Sequence, residues 1–157
     1  MSLREEIKQT RPFKSPLEEL SLNIIRTAAE LNYGGGEMMK QYGITTTQYN
    51  VLRILRGAGA SGLPCGAISD RMITRDSDIT RLLDQVHGSQ PVERGRMADD
   101  RRVVAVKLTA KGSELLAELD PVVQQFHQEH LGHLDEATVG ALIAGLERVR
   151  ERTHVNP

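Results

Sequence analysis

The stretch that decides the fold is residues 73–109, ITRDSDITRLLDQVHGSQPVERGRMADDRRVVAVKLT. Its first half carries apolar residues at helical spacing, and its second half carries two apolar runs on either side of a basic turn. These patterns predict a short amphipathic helix followed by a β-hairpin. The helix has Asp76 or Ser77 as its N-cap and Gly88 as its end, and its buried stripe comprises Ile79, Leu82, Leu83 and Val86.

The outward face of this predicted helix suits contact with DNA. Arg and Gln pair bidentately with guanine and adenine edges in a major groove, and Ser and Thr suit base edges or phosphates. Asp76 and Asp78 repel phosphate, so we expect them to cap the helix, orient a basic neighbour or accept from a cytosine amine. A solvated helix face explains the pattern equally well. The outward residues are Ser77, Asp78, Thr80, Arg81, Asp84 and Gln85.

The predicted hairpin, with strands at residues 92–94 and 103–108, favours DNA contact over a merely solvated surface. Guanidinium groups crowd around Gly95 and the Asp99–Asp100 pair, and they repel one another unless an anion neutralises them. A phosphate backbone or a narrow minor groove is the natural partner. Thr109 is the predicted cap of the next helix. The basic cluster comprises Arg94, Arg96, Arg101 and Arg102.

The segment RLLDQV followed by VERGRMADDRRVVAVKLTAKG resembles the recognition helix and wing of the MarR family of bacterial transcriptional regulators. The resemblance extends more loosely over residues 16–150. It implies that Arg102 enters the minor groove, that Asp100 holds Arg102 in place, and that Arg81 with its outward neighbours lies in the major groove. The family wing reads D-x-R and then L-T-x-x-G, which here are Asp100, Arg102, Leu108, Thr109 and Gly112.

One position departs from the family pattern. Where the family usually has Gly-Leu between recognition helix and wing, this chain has Gln90–Pro91. Proline lacks a backbone donor and restricts the preceding residue to extended geometry. The departure predicts an unusual angle between helix and wing.

The charge distribution agrees with a local DNA-binding surface. The whole chain has a net charge of -1, yet residues 71–111 contain nine basic and six acidic residues, a net charge of +3. Such a basic block on an acidic body is a nucleic-acid footprint. The single cysteine fits a reducing compartment. With no signal-peptide core at the start and no membrane-spanning apolar run, we expect a cytoplasmic chain without a membrane partner.

These features together predict a mainly α fold with a small two- or three-stranded β wing. Residues 1–15 read as a flexible arm and residues 44–109 as a winged helix-turn-helix, in which Pro64 opens the short helix CGAISDRM. By the resemblance, residues 16–43 and 110–153 form a helical dimerisation region. The apolar stripes of the last two helices exceed what a small winged domain needs, which favours a homodimer on a pseudo-palindromic DNA site.

Three consecutive glycines, Gly34 to Gly36, predict a bend or break in the first long helix, since each glycine costs about 1 kcal/mol relative to alanine. In the resembling family, effectors lodge between the dimerisation bundle and the DNA-binding part. One interpretation is therefore a pocket for a small aromatic or amphipathic ligand. The other is a loose surface segment. The pocket residues would be Tyr33, Met38, Met39 and Tyr42.

Two further features suggest sensing without establishing it. His127 and His130 share a helix face and are candidates for a metal site with His133 nearby, although surface histidines near a helix end explain them too. Cys65 opens a helix, where thiols are more reactive, but it does not match the position of the family's sensing cysteines. No metal or cofactor is predicted.

The function predicted from the sequence is a sequence-specific DNA-binding transcriptional regulator, acting as a repressor and tuned by a small molecule. An enzyme is disfavoured, because the chain has no phosphate-cradling glycine loop and no nucleophile with a matching base. Two alternatives stay open. One is a metal- or redox-responsive version of the same regulator. The other is a dimeric interaction module without DNA binding, which Asp76, Asp78 and Pro91 would permit.

Overall fold

The computed structural model describes residues 1–74, 81–82, 91–96 and 104–153. Helices dominate, and Arg81 and Leu82 are helical as well. The chain forms two compact units, Met1–Ala117 and Glu118–Pro157, and the division between them falls inside helix α5. In chain order the elements are α1 (Leu3–Glu6), α2 (Pro16–Lys40), α3 (Thr46–Ala58), a 3-10 turn (Gly59–Ser61), β1 (Leu63–Pro64), α4 (Cys65–Ser69), β2 (Val92–Arg96), β3 (Val104–Leu108), α5 (Ala110–Leu131) and α6 (Glu136–Thr153).

Each long helix begins at a side-chain cap. The first N–H groups of a helix have no partner within it, so a short side-chain oxygen before the helix satisfies one of them. The predicted cap at Thr109 is confirmed, and Ser15 and Asp135 cap their helices in the same way. At α3 the side chain of Gln48 also accepts from the Thr45 N–H, at 2.8 Å, which completes a capping box. The cap oxygens and their donors pair Ser15 with Glu18, Thr45 with Gln48, Thr109 with Gly112 and Asp135 with Thr138.

The predicted break at the glycine triplet is wrong, because α2 continues without interruption through Gly34, Gly35 and Gly36. Gly35 and Met39 lie one turn apart and are the buried residues of this helix. Helix propensity is a weak preference that tertiary packing overrides. The packing of this face therefore holds the glycines in the helix.

The predicted two- or three-stranded wing has three strands, and the position of β1 was not predicted. Leu63–Pro64 pairs with β3, and Pro64 is also the N-cap of α4. Helix α4 begins at Cys65, as predicted, and ends at Ser69, three residues before the predicted end at Met72. Gly62 makes the approach possible: its φ is 68°, and a Cβ there would collide with the Val106 carbonyl and lie 2.6 Å from Lys107 Cγ. Only glycine meets both demands.

The three strands form an antiparallel sheet in the order β1-β3-β2. The predicted hairpin is confirmed, and β2 extends to Arg96, two residues beyond the predicted end at Arg94. The register places Val92 opposite Leu108 and Arg96 opposite Val104. Because β3 is central, β2 is an edge strand.

The core lies between the helix-turn-helix segment, the hairpin and the start of α5. Helix α3 contributes Val51, Leu52 and Leu55 to this core, and α4 contributes Ile68. Leu82 joins them from the segment after α4, which ties that segment to α3. The buried cluster comprises Val51, Leu52, Leu55, Ile68, Leu82, Val92, Val106 and Leu116.

The arm of residues 1–15, predicted to be flexible, contains a defined turn of helix. Ser2 and Glu5 form a capping box at α1, and Leu3 is buried. Glu6 pairs with Arg26 of α2 at 2.8 Å. A hydrogen bond to Glu6 and the charge of Glu30 raise the pKa of the Arg26 guanidinium. Local hydrogen bonds and this ion pair give the arm its conformation.

The second unit contains the later part of α5, with Pro121 inside the helix, and α6. Gly132 follows the end of α5. Among the described residues, no helix has the length and apolar character needed to cross a membrane. The apolar residues that α6 exposes are Val139, Leu142, Ile143, Leu146 and Val149.

Candidate nucleic-acid interface

The hairpin presents a basic edge next to its buried base. Val92, Arg94 and Arg96 alternate along β2 and therefore share one face of the sheet. Val92 is buried in the core, while both arginines are exposed. On β3, Val106 opposite Arg94 is buried, and Val104 opposite Arg96 is exposed. The core fixes the base of the hairpin, and its basic end faces solvent.

The opposite face of the hairpin pairs Glu93 with Lys107 across the strands. Opposite charges at directly paired positions are mutually favourable. Arg94 and Arg96 lie directly opposite the apolar residues Val106 and Val104 in the register. Charged side chains on an edge strand also prevent association with other sheets. Arg94 and Arg96 can therefore serve two roles: they prevent pairing of the edge strand with another sheet, and they attract a polyanion such as DNA.

The helical residues after α4 have the orientation that the periodicity predicts. Arg81 is exposed, whereas Leu82 is buried in the core cluster. Neighbouring helix positions differ by about 100° around the axis, so an inward Leu82 turns Arg81 toward solvent. The remaining predicted contact residues lie outside the described part of the chain. They are Ser77, Asp78, Thr80 and Gln85 of the predicted helix, and Asp100, Arg101 and Arg102 of the predicted wing.

The turn leading into this helical segment is tied to α3. The side-chain Oδ1 of Asn50 accepts a hydrogen bond from the backbone N–H of Ile73 at 2.9 Å. Asn50 was not among the functional residues predicted from the sequence. Its sequence signal is an amide directly before Val51 and Leu52, at the edge of the apolar face of α3.

The base of the hairpin is tied to α5. The Pro91 carbonyl accepts from the Thr109 N–H at 3.1 Å, and Pro91 is buried. A Cβ on Gly112 would collide with that carbonyl and lie 2.7 Å from Leu108 Cδ1. The L-T-x-x-G pattern therefore has a packing reason in this chain. Pro91 takes part in this junction through its carbonyl, so its missing N–H is not needed there.

The predicted ligand residues differ in their environments. Met39 is buried, Met38 and Tyr42 are half-buried, and the Tyr33 side chain is 72% exposed. The Tyr42 N–H donates to the Met39 carbonyl at 3.0 Å, which brings these two together at the end of α2. Tyr33 lies toward solvent on the same helix.

The histidines and the cysteine are held by ordinary packing. His130 Nδ1 lies 2.9 Å from the Phe126 carbonyl, and the two rings stack with centroids 4.1 Å apart. Because a carbonyl only accepts, this nitrogen carries a proton. Within the described ranges, no three His, Cys, Asp or Glu side chains are grouped as a metal site would need. Cys65 is a free thiol, half-buried against the core.

A helix-turn-helix packed on a hairpin with a basic edge defines the winged-helix class of DNA-binding proteins. The family model of the transcriptional regulators SarA/Rot matches residues 36–119. YsmB of Bacillus subtilis, described as an uncharacterized HTH-type transcriptional regulator, is 30% identical over 136 residues, which cover 85% of this chain and 89% of that protein. The chain belongs to the MarR-type winged-helix transcriptional regulators, and within them it matches the SarA/Rot family.

Solved structures agree with this assignment. A MarR transcription factor from Planctomyces limnophilus is 36% identical, with a TM-score of 0.66, over 87% of this chain and 98% of that one. A MarR mutant from E. coli, solved with operator DNA, is 27% identical with a TM-score of 0.70 over 95% of this chain and 99% of that one. The chain is thus a DNA-binding regulator of transcription, and its family is not one of enzymes.

Proposed function

We propose that the protein is a cytoplasmic homodimeric repressor that reads a pseudo-palindromic duplex site and is tuned by a small molecule. The main support for a DNA-binding surface is the basic edge of the hairpin. Arg94 and Arg96 are exposed on a strand whose base is fixed in the core, and Arg81 is exposed on the helical segment before it. Arginines held by a rigid scaffold suit contact with a phosphate backbone.

The proposed contacts divide between two elements. Side chains of the predicted recognition helix read base edges, and those of the wing contact phosphates or the minor groove. The net charge of +3 over residues 71–111 supports this division. The helix contacts are Ser77, Asp78, Thr80, Arg81 and Gln85, and the wing contacts are Arg94, Arg96, Asp100, Arg101 and Arg102.

The homodimer is supported by apolar side chains that face solvent in the single chain. On α6, Leu142 and Ile143 are 52% and 53% exposed, and their apolar neighbours recur at helical spacing. On α2, Leu17 and Ile25 are 76% and 61% exposed. Contiguous apolar faces of this kind mark protein interfaces. A second copy of the chain is the partner whose symmetry matches a pseudo-palindromic site.

Effector tuning is supported by relatives of the same fold. CouR from Rhodococcus jostii was solved bound to p-coumaroyl-CoA, and BpsR from Bordetella bronchiseptica is described as regulated in DNA binding by 6-hydroxynicotinic acid. Their identities to this chain are 18% and 20%, so the likeness is one of fold. We propose Tyr33, Met38, Met39 and Tyr42 as the ligand-contacting residues, because aromatic and thioether side chains suit an aromatic ligand.

The DNA-binding proposal is tested with a duplex selected from a random library by the protein itself. Fluorescence anisotropy across a salt series compares this duplex with a scrambled one. We expect a large affinity ratio, and Arg96→Ala should reduce the salt slope by about 1. Lys40→Ala removes an exposed cation that pairs with Glu37 on α2, and it should leave the slope unchanged. Equal affinity for both duplexes would favour an interaction module instead.

The dimer is tested by sedimentation equilibrium. Leu142→Asp places a charge on the apolar face of α6 and should give the monomer mass. Ala144→Asp introduces the same charge on the exposed opposite face of that helix and should remain dimeric. Repression is tested with a reporter promoter that carries the selected duplex, whose output should rise when the protein is absent or when a screened ligand is added.

A further inference from the structure

A buried amide joins α3 to the turn that follows α4. Asn50 is 8% exposed and lies beside the fully buried Val51 and Leu52. Of the residues that the structure describes, it is the one buried polar side chain. A buried amide is unfavourable unless its polar atoms are bonded. Its Oδ1 accepts from the Ile73 N–H at 2.9 Å, so the position is stable only when this turn lies in place.

This bond acts where the chain leaves α4. The N–H groups of Asp70, Arg71 and Met72 donate to carbonyls of the α4 turn itself, at 3.1, 3.0 and 3.2 Å. The Ile73 N–H is the next donor along the chain, and its acceptor comes from another helix. The Ile73 side chain is 77% exposed, so its own packing does not hold the turn. The turn is held by the hydrogen bond that the Ile73 N–H donates to Asn50 Oδ1.

We infer that Asn50 is a positioning residue for base recognition, an inference that rests on the proposed reading of DNA by residues 77–86. Leu82 attaches the helical segment to the α3 core, and Asn50 attaches the chain before it. Asn50 thus acts on the described turn that precedes the predicted recognition helix, and Leu82 acts on the helical residues that follow. Hydrogen bonds to base edges require accurate placement, whereas phosphate attraction tolerates displacement. Asn50 therefore controls discrimination between sequences more than overall affinity for DNA.

The test compares three variants in the full dimer. Asn50→Leu removes the acceptor at similar volume, and Asn50→Asp keeps an acceptor oxygen at the same position. Val51→Ala is the matched control, because it perturbs the core at the next residue of α3 and leaves the Asn50 acceptor in place. The affinity ratio between the library-selected duplex and a scrambled duplex is measured at one salt concentration.

We expect Asn50→Leu to lower this affinity ratio about tenfold, which corresponds to the loss of roughly one good base contact. Its affinity for the scrambled duplex should stay within about twofold, since the phosphate contacts remain. Asn50→Asp should recover most of the ratio. Val51→Ala should keep the ratio even where it lowers the melting temperature. An Asn50→Leu protein with an intact ratio, or a Val51→Ala protein with the same loss, would overturn the inference.

Amide hydrogen exchange at Ile73 tests the bond without DNA. The N–H should be protected in the wild type, Asn50→Asp and Val51→Ala, and should exchange like an open turn in Asn50→Leu. If Asn50→Leu does not fold, hydrogen exchange in the wild type and Asn50→Asp still tests the inference. An unprotected Ile73 amide in the wild type would overturn it. The two failures are distinguishable. A wild type that selects no duplex would overturn the proposed function, whereas a wild type that selects one, with an unprotected Ile73 amide, would overturn only the role of Asn50.

Discussion

The carbonyl of Pro91 accepts a hydrogen bond from the N–H of Thr109 at 3.1 Å, and this bond closes the base of the hairpin. Pro91 lies directly before β2 and Thr109 directly after β3. The hydroxyl of Thr109 also accepts from the Gly112 N–H at 3.1 Å and so caps α5. One residue therefore joins the wing to the long helix, and the orientation of the hairpin base depends on this junction.

Gly112→Ala should destabilise the protein. The added Cβ would collide with the Pro91 carbonyl and lie 2.7 Å from Leu108 Cδ1, so the backbone at the hairpin base must move. We expect a loss of about 1–3 kcal/mol in the free energy of unfolding, measured by urea denaturation. Lys111→Ala, at the exposed neighbouring position, should have little effect. Equal stability of the two variants would show that the backbone at the hairpin base can shift without a loss in the free energy of unfolding.

Local signals explain which parts of the fold could be predicted from the sequence. The caps at Ser15, Thr109 and Asp135 depend on residues within one helical turn, and each is present. Strand β1 has two residues and shows no periodicity of its own, so only its pairing with β3 reveals it. The unbroken helix through Gly35 was missed because tertiary packing, which overrides propensity, is not visible in the local sequence.

In the candidate site, too, some features could be predicted from the sequence and others could not. The outward position of Arg81 follows from the inward position of Leu82, which the apolar stripe predicts. The bond between Asn50 and Ile73 joins residues far apart in the chain, and neither residue type demands the other. Such a contact is determined by the packing of α3 against the turn, which only three-dimensional structure supplies.

Gly36→Ala should stabilise the protein. Gly36 lies inside α2, and a Cβ there would meet no atom within 4 Å. Alanine in a helix interior is favoured over glycine by about 1 kcal/mol, mainly because the unfolded chain loses freedom. The melting temperature should rise by about 2–4 °C. Gly62→Ala is the opposite control, since its positive φ and the nearby Val106 carbonyl should make it destabilising. A lower melting temperature for Gly36→Ala would indicate a close contact at this position in the proposed dimer.

Zinc should not bind stoichiometrically at the histidine run. His130 uses Nδ1 to donate to the Phe126 carbonyl and stacks on that ring, and within the described residues no third ligand completes a site with His127. Isothermal titration with ZnCl2 should show no saturable uptake near one equivalent, and His127→Ala with His130→Ala should match the wild type. Tight uptake by the wild type that the double variant loses would establish the metal-responsive alternative.

Asp135 should titrate below its ordinary range. Hydrogen bonds from Thr138, first its backbone N–H and then its side chain, lower the pKa of the Asp135 carboxyl. The carboxylate therefore stabilises the folded chain above the unfolded pKa of about 3.9, and this stabilisation is lost as the pH falls through the lowered folded pKa. Carboxyl NMR titration measures the pKa directly. Asp135→Asn keeps an acceptor that does not titrate, so the stability gap between wild type and this variant should be constant near neutral pH and narrow in acid. A gap that widens in acid would contradict the cap.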